Sequence, residues 1–225
     1  SKMWGIGIQL EKRLNRMGMY CVGDIAQYPL DFLKREFGVL GEQLYQHSHG
    51  IDESDLHDVY QSRYPTIGGG QVLMRDYYAY DIKTILLEQV EEVMFRLRKK
   101  NLYCEVVHLA IGYSKSVRGG FSRQTKLSQA TDLTESVFEA CLRLFEANYT
   151  GQPIRKVSIS LGGLVERGQT QLSLFEDVTK KQQLSYAMDE IRIKHGKNAL
   201  LRAISYEKGA TGRYRNTLMG GHQAE

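Results

Sequence analysis

Two groups of residues have the types that could react or hold a metal. His47, His49 and His57 lie close in sequence to Asp52, Glu53, Asp55 and Asp58. Imidazole and carboxylate together could ligate a divalent ion. His47 and His49 are two positions apart at a helix end, so they do not share a face. The cluster therefore reads as a polar helix terminus running into a linker. Cys104 and Cys141 could be nucleophiles, but no His or Asp partner for either is evident in the sequence. A nucleophile needs such an activating group, so both read as core or half-buried thiols. No catalytic residue and no metal site are assigned, and no cofactor is expected within this chain.

The other candidates bind rather than react. Gly5-Ile6-Gly7 and Gly38-Val39-Leu40-Gly41 frame two turns, each of which launches a helix. Glycine lets a backbone approach a phosphate closely, and the free N–H groups at a helix start point at it. Such contacts ignore base sequence. The candidates here are Gly5, Ile6, Gly7, Gly38, Val39 and Gly41. A second set lies further on. Between Val106 and Thr131 there is no acid, while Lys115, Arg118, Arg123 and Lys126 fall inside, and Arg75 ends an earlier strand. A basic stretch emptied of acids suits a phosphate-facing surface. The third candidate is Gln171-Leu172-Ser173-Leu174-Phe175. Leu172, Leu174 and Phe175 are hydrophobic anchors, Gln171 is a polar hook and Ser173 sits between them. Burying the three anchors gives about 5–8 kcal/mol gross. Ordering the peptide removes part of that, which leaves affinity of roughly micromolar order.

The elements that position these groups follow from the periodicity. Leu10, Leu14 and Met17, with Ile8, mark a first helix that Gly18 ends. A short helix starts at Gly23-Asp24, a third follows Pro29 with Phe32, Leu33 and Phe37, and a fourth runs from Glu42 to His49. From Thr66 the pattern changes. Thr66 to Arg75 reads as a strand, and residues 79–100 form an amphipathic helix with Ile82, Ile85, Leu86, Val90, Val93, Met94 and Leu97 on one face. Tyr103 to Tyr113 and Phe121 to Leu127 alternate as strands. Asp132 to Glu135 spells a capping box that opens another helix, and Ile154 to Val165 is a fourth strand. The order βαββαβ is the ferredoxin-like pattern. Its two helices cover one face of the sheet, leaving open a face that carries His108, Ser158, Ser160 and part of the basic set. RNA-recognition modules share this order but stack bases on paired aromatics of the third strand. Here Phe121 stands alone before Ser122, Arg123 and Gln124, so base stacking is disfavoured.

The fold class is thus α+β, with four parts: a helix-hairpin-helix unit at 1–55, a linker at 56–65, the βαββαβ unit at 66–165, and a partly helical extension at 166–225. The extension carries the peptide, a helix from Val178 to His195, and a basic, glycine-rich stretch from Lys208 to Arg215 that reads first as disordered, with contact to DNA or to a partner as the alternatives. The 225 residues are 42% hydrophobic and 25% charged, as in ordinary soluble proteins. The three cysteines are far apart and form no CxxC pair, which suits a reduced, cytoplasmic protein. No apolar run approaches membrane-spanning length and no signal peptide is present. The net charge is +4. Its first 64 residues are net acidic and both later parts net basic. Ser1-Lys2-Met3-Trp4 enters a motif at once, so a longer parent chain is expected.

Together the parts resemble the C-terminal half of a bacterial Y-family, translesion DNA polymerase of the UvrX/UmuC-like (ImpB/MucB/SamB) branch. Trp4-Gly5-Ile6-Gly7, Leu14, Gly18, Val22-Gly23-Asp24-Ile25-Ala26, Phe37-Gly38 and His49-Gly50-Ile51-Asp52 resemble its thumb. Residues 66–165 resemble its little finger. Gln171–Phe175 is similar to the sliding-clamp-binding pentapeptide, and the tail from Asp189 to His222 is similar to C-terminal segments of that branch. The resemblance implies primer–template DNA and the bacterial sliding clamp (β subunit) as partners, with no membrane and accessory SOS proteins as further partners. It implies DNA-directed nucleotide addition by the parent enzyme, in translesion synthesis and SOS-type repair. The two Mg2+ ions of that chemistry are implied for a palm domain upstream of the thumb, so no catalytic residue is carried over. The alternative is a non-enzymatic DNA- or RNA-binding adaptor that recruits a partner protein.

Overall fold

The computed structural model describes residues 3, 5–53, 57, 62, 64–167, 178–219 and 222–223. The chain divides into two compact units, Ser1–Tyr60 and Gln61–Glu225. Gln171–Phe175 and Trp4 lie outside the described residues, as does part of the expected linker.

Among the described residues the first unit holds four helices, α1 (Ile8–Arg16), α2 (Val22–Gln27), α3 (Leu30–Phe37) and α4 (Val39–Ser48). Leu14, Met19, Ile25, Leu33 and Leu44 form its core. Ile8 faces solvent instead of joining that core. Gly18 closes α1 at φ +85°, a conformation that favours glycine. Cys21 and Asp24 form a capping box on α2, in which the Asp24 carboxylate accepts from the Tyr20 and Cys21 N–H groups at 2.8 Å each. These bonds, Cys21 foremost, hold its carboxyl below the usual range.

The second unit opens with β1 (Ile67–Tyr77), α5 (Ala79–Lys99), β2 (Leu102–Tyr113), β3 (Gly120–Thr131), α6 (Thr134–Asn148) and β4 (Ile154–Gly162). The chain order is the expected βαββαβ. The spatial order differs: the strands lie β1-β4-β2-β3, every neighbour antiparallel. A ferredoxin-like sheet of the same chain order centres β1 and β3; this one centres β2 and β4. The reason lies in the apolar content. Val107, Leu109 and Ile111 on β2 and Ile154, Val157, Ile159 and Leu161 on β4 are all buried. Most of β3 is exposed, which suits an edge. A short β5 (Val165–Glu166) pairs with the start of β2.

The expected capping box at Asp132 does not form on α6. Thr131 Oγ1 accepts the Leu133 N–H at 3.2 Å, and the Asp132 carboxylate accepts from Gln182 and Tyr186 instead. Those partners sit on α7 (Val178–His195), which starts the C-terminal extension. A 3-10 turn (Ala203–Tyr206), α8 (Gly212–Arg215) and a small ladder of β6 (Leu218–Met219) with β7 (His222–Gln223) complete the chain. The stretch from Lys208 to Arg215, expected to be disordered, is held on the unit. Tyr77 donates to the Gly209 carbonyl at 3.0 Å, and the Thr211 and Gly212 N–H groups donate to Glu88. Glu88 thus supplies an anion at the α8 N-terminus, a partner that the composition of the stretch does not reveal.

Candidate nucleic-acid interface

In the first unit both glycine turns end in uncapped helix starts. Gly7 precedes α1 in extended conformation, and Gly38 precedes α4 at φ +62°; neither helix has a side-chain cap. The earliest N–H groups of each helix therefore lack intrahelical acceptors, while the Gly41 N–H donates to the Gly38 carbonyl at 2.9 Å. Gly5, Gly7, Gly38 and Val39 are exposed there, whereas the Ile6 side chain packs on the core. Gly41 is placed differently. It lies inside α4, buried, where an added Cβ would stand 1.9 Å from the Leu33 carbonyl oxygen. Its lack of a side chain lets α3 and α4 touch, so it is a packing residue and not a phosphate contact. The turn is correspondingly shorter than expected, because α4 begins at Val39 and not at Glu42.

His47 and His49 diverge. His47 Nε2 lies 3.8 Å from Asp52, while the His49 ring lies tilted by 39° against Tyr45, centroids 4.3 Å apart. Among the described residues no group of three or more His, Cys, Asp or Glu is placed to hold a metal ion. Cys104 and Cys141 are buried in the second core, and desolvation pushes each thiol up to about 12.

The open face of the sheet follows from strand register. Residues directly opposite one another share a face. Gly68, Ser160, His108 and Gln124 form one row, and Gly70, Ser158, Ala110 and Ser122 the next. Lys156 aligns with Val72 and Gly112, and Lys126 with Val106. No carboxylate occupies these registered positions. Glu105 stands at the border, 3.2 Å from Lys126. His108 bridges strands: its Nε2 lies 2.6 Å from Ser122 Oγ and its Nδ1 3.4 Å from Ser160 Oγ. Gly, Ser and Ala fill much of its middle, with His108, Gln124, Lys126 and Lys156 among and beside them. Gly68 and Gly70 press on Ser160 and Ser158, where an added Cβ would approach to 2.7 and 2.3 Å.

This register sorts the basic candidates. Lys126 lies on the open face, and Lys115 and Arg118 sit in the turn between β2 and β3, with Arg118 at φ +62°. Arg123 aligns with Leu109 and so belongs to the opposite, helix-covered side. Arg75 pairs at 2.8 Å with Asp81 of α5 and lies over the Tyr77 ring. That hydrogen bond with Asp81 holds its pKa up. Arg123 is therefore corrected out of the open face, and Arg75 lies against Asp81 of α5. Lys156 belongs in it and escaped notice, although its parity with Ser158 and Ser160 along the strand would have found it.

Residues 65–174 match the impB/mucB/samB family C-terminal domain, and residues 1–52 match a thumb domain described for DNA polymerase-iota. The DNA repair protein homolog YobH of Bacillus subtilis (strain 168) is 42% identical over 154 residues, covering 68% of this chain and 71% of YobH. The chain belongs to the impB/mucB/samB family. Its two matched segments are the thumb and little finger of that Y-family polymerase group, in that order. Two more relatives from the same organism cover nearly all of it. UvrX, named for UV-damage repair, is 42% identical over 227 residues, and DNA polymerase IV 2 is 37% identical over 223. These alignments take in 100% and 98% of this chain but 55% and 54% of the relatives. This impB/mucB/samB chain thus spans about half the length of those two. Among its described residues no helix is long and apolar enough to cross a membrane.

Proposed function

We propose that this chain holds primer–template DNA and docks on a sliding clamp as the C-terminal part of a translesion DNA polymerase. The observation that carries the DNA reading is the open sheet face, free of carboxylate at its registered positions and bearing Lys126 and Lys156. A surface rich in Gly, Ser and Ala can approach phosphates closely, and hydroxyl groups and lysines bind them without reading sequence. The exposed helix starts at Gly7 and Gly38 add backbone donors from the thumb. The catalytic step, with its two magnesium ions, belongs to a palm domain, and no residue of this chain is assigned to it. The peptide Gln171–Phe175 supplies the clamp contact. It is weak alone and effective when a DNA-holding unit keeps it local. Damage tolerance of the SOS type is the setting that this combination serves, in a reduced cytoplasm that suits the free thiols.

Two measurements test the two halves. Replacing Lys126 and Lys156 by Ala should flatten the plot of log K against log salt by about 0.9 for each phosphate no longer neutralised. Arg123→Ala, on the other side of the sheet, should leave the slope alone. An unchanged slope in the double variant would remove the open face from DNA binding. Phe175→Ala should abolish clamp binding while duplex affinity stays the same. Clamp affinity equal to that of the parent chain would end the peptide's assignment.

A further inference from the structure

Along the outer edge of β1, beside α5, lies a second basic cluster. A cavity of about 310 Å³ is bordered by Gly69 and Gly70 of β1, Arg96 of α5, and Lys197, Arg215 and Asn216 of the extension. That volume far exceeds the roughly 30 Å³ share of one water. Its lining carries three cations and one anion, Glu92, which lies 3.9 Å from Arg96 and 3.2 Å from Lys197. Within the lining the cations outnumber the anion by two, and Glu88 beside it also acts on Arg215.

The groups around the cavity are aimed and supported. The Arg96 guanidinium occupies the place where a side chain of Gly69 would stand, with Nη2 2.5 Å from an added Cβ. Arg215 donates to Gln71 Oε1, which also accepts from Gln89 at 2.5 Å, while the Gln71 amide donates to Thr211 Oγ1 at 3.0 Å. Burial and the nearby Arg96 charge lower the pKa of Arg215, against the pull of Glu88 and Glu92. β1 is an edge strand, so its outer side offers main-chain groups with no strand beyond them. Two half-buried guanidiniums, an ammonium, an amide and a glycine backbone are the donor set that phosphate oxygens take.

We propose that this cavity binds a phosphate group, and that docking of the extension completes it by bringing Lys197, Arg215 and Asn216 to the β1 edge. The site is separate from the open face and does not depend on that face's role. The phosphate belongs either to a nucleic-acid backbone, whose diester brings one negative charge, or to a free phosphate-bearing molecule, whose terminal group brings about 1.5 to 2; the first offsets part of the excess and the second nearly all of it.

Inorganic phosphate titrated into the chain, against chloride of matched ionic strength, tests this by NMR. Saturable shifts are expected at the Gly69 and Gly70 amides and at the Arg96 and Arg215 Nε–H groups. Arg96→Gln with Lys197→Gln, both at partly exposed side chains, should weaken the binding at least tenfold with the rest of the spectrum retained. Absence of saturable shifts, or equal affinity in the double variant, would overturn the site. A short duplex then separates the sources. If the duplex displaces phosphate, and the double variant flattens its salt slope, the ligand is a nucleic-acid phosphate. If the duplex binds with phosphate still in place, the ligand is a free phosphate-bearing molecule. Loss of DNA binding in the Lys126 and Lys156 variant, with phosphate binding retained here, would keep the two sites distinct.

Discussion

Arg98 shows what single residues decide in this chain. In the sequence it is one of four cations at the end of a long helix, where the helix dipole welcomes them. In the fold it is 4% exposed. It grips Asp189 through Nε at 2.5 Å and Nη2 at 3.0 Å, and donates through Nη1 to the Asp132 carbonyl and Thr134 Oγ1. A buried pair adds little net stability when intact, but breaking it strands a charge. Arg98→Ala is therefore expected to cost about 3–5 kcal/mol, read as a lower urea midpoint. Replacing both partners, as Arg98→Met with Asp189→Leu, should recover most of the loss. Equal stability of the parent and Arg98→Ala chains would contradict this role. The partner stands 91 positions away, beyond any local pattern, which is why the sequence alone does not disclose it. The unreactive thiols, by contrast, are legible from the lack of an activating His or Asp, although alternation puts Cys104 on the side of His108 and the register shift between Cys104 and Val106 buries it instead.

At the scale of elements, periodicity carried most of the reading. The long helix is read at 79–100 and runs Ala79–Lys99, and the second strand is read from Tyr103 and begins at Leu102. Alternating apolar residues also identify the inward side of β2 and β4. Strand order is another matter, because it depends on which strands are apolar enough to lie between two others. The polarity of β3 was visible and points to an edge, yet the chain order alone suggested the ferredoxin-like arrangement. Glycine is similarly ambiguous in sequence. Gly38 turns the chain, whereas Gly41 lets α3 touch α4, and spacing does not distinguish them. Gly41→Ala would gain about 1 kcal/mol of helix propensity. The clash with a main-chain oxygen at 1.9 Å forces the helices apart, and overpacking costs about 1–3 kcal/mol. A net loss of thumb stability is expected in thermal unfolding, and a gain would show that the helices separate freely.

The whole molecule is a set of surfaces with different tasks. The open sheet face has no registered carboxylate. The other side of the second unit is closed by the extension through polar links: Arg192 and Arg202 meet Glu91, Lys197 meets Glu92, and Thr211 and Gly212 meet Glu88. Acids of α5 that composition alone would leave in solvent are thus used to dock the tail. The peptide proposed to bind a clamp, Gln171–Phe175, lies in sequence between β5 and α7, both of which belong to this unit. The central claim is that the open face is the surface that holds the duplex. Its most direct test is the duplex affinity of a chain carrying Ser122→Glu and Gln124→Glu, two exposed positions on that face. Added carboxylates there should repel phosphates and weaken binding at least tenfold at constant salt, with the circular dichroism spectrum unchanged. Affinity equal to that of the parent chain would contradict the claim.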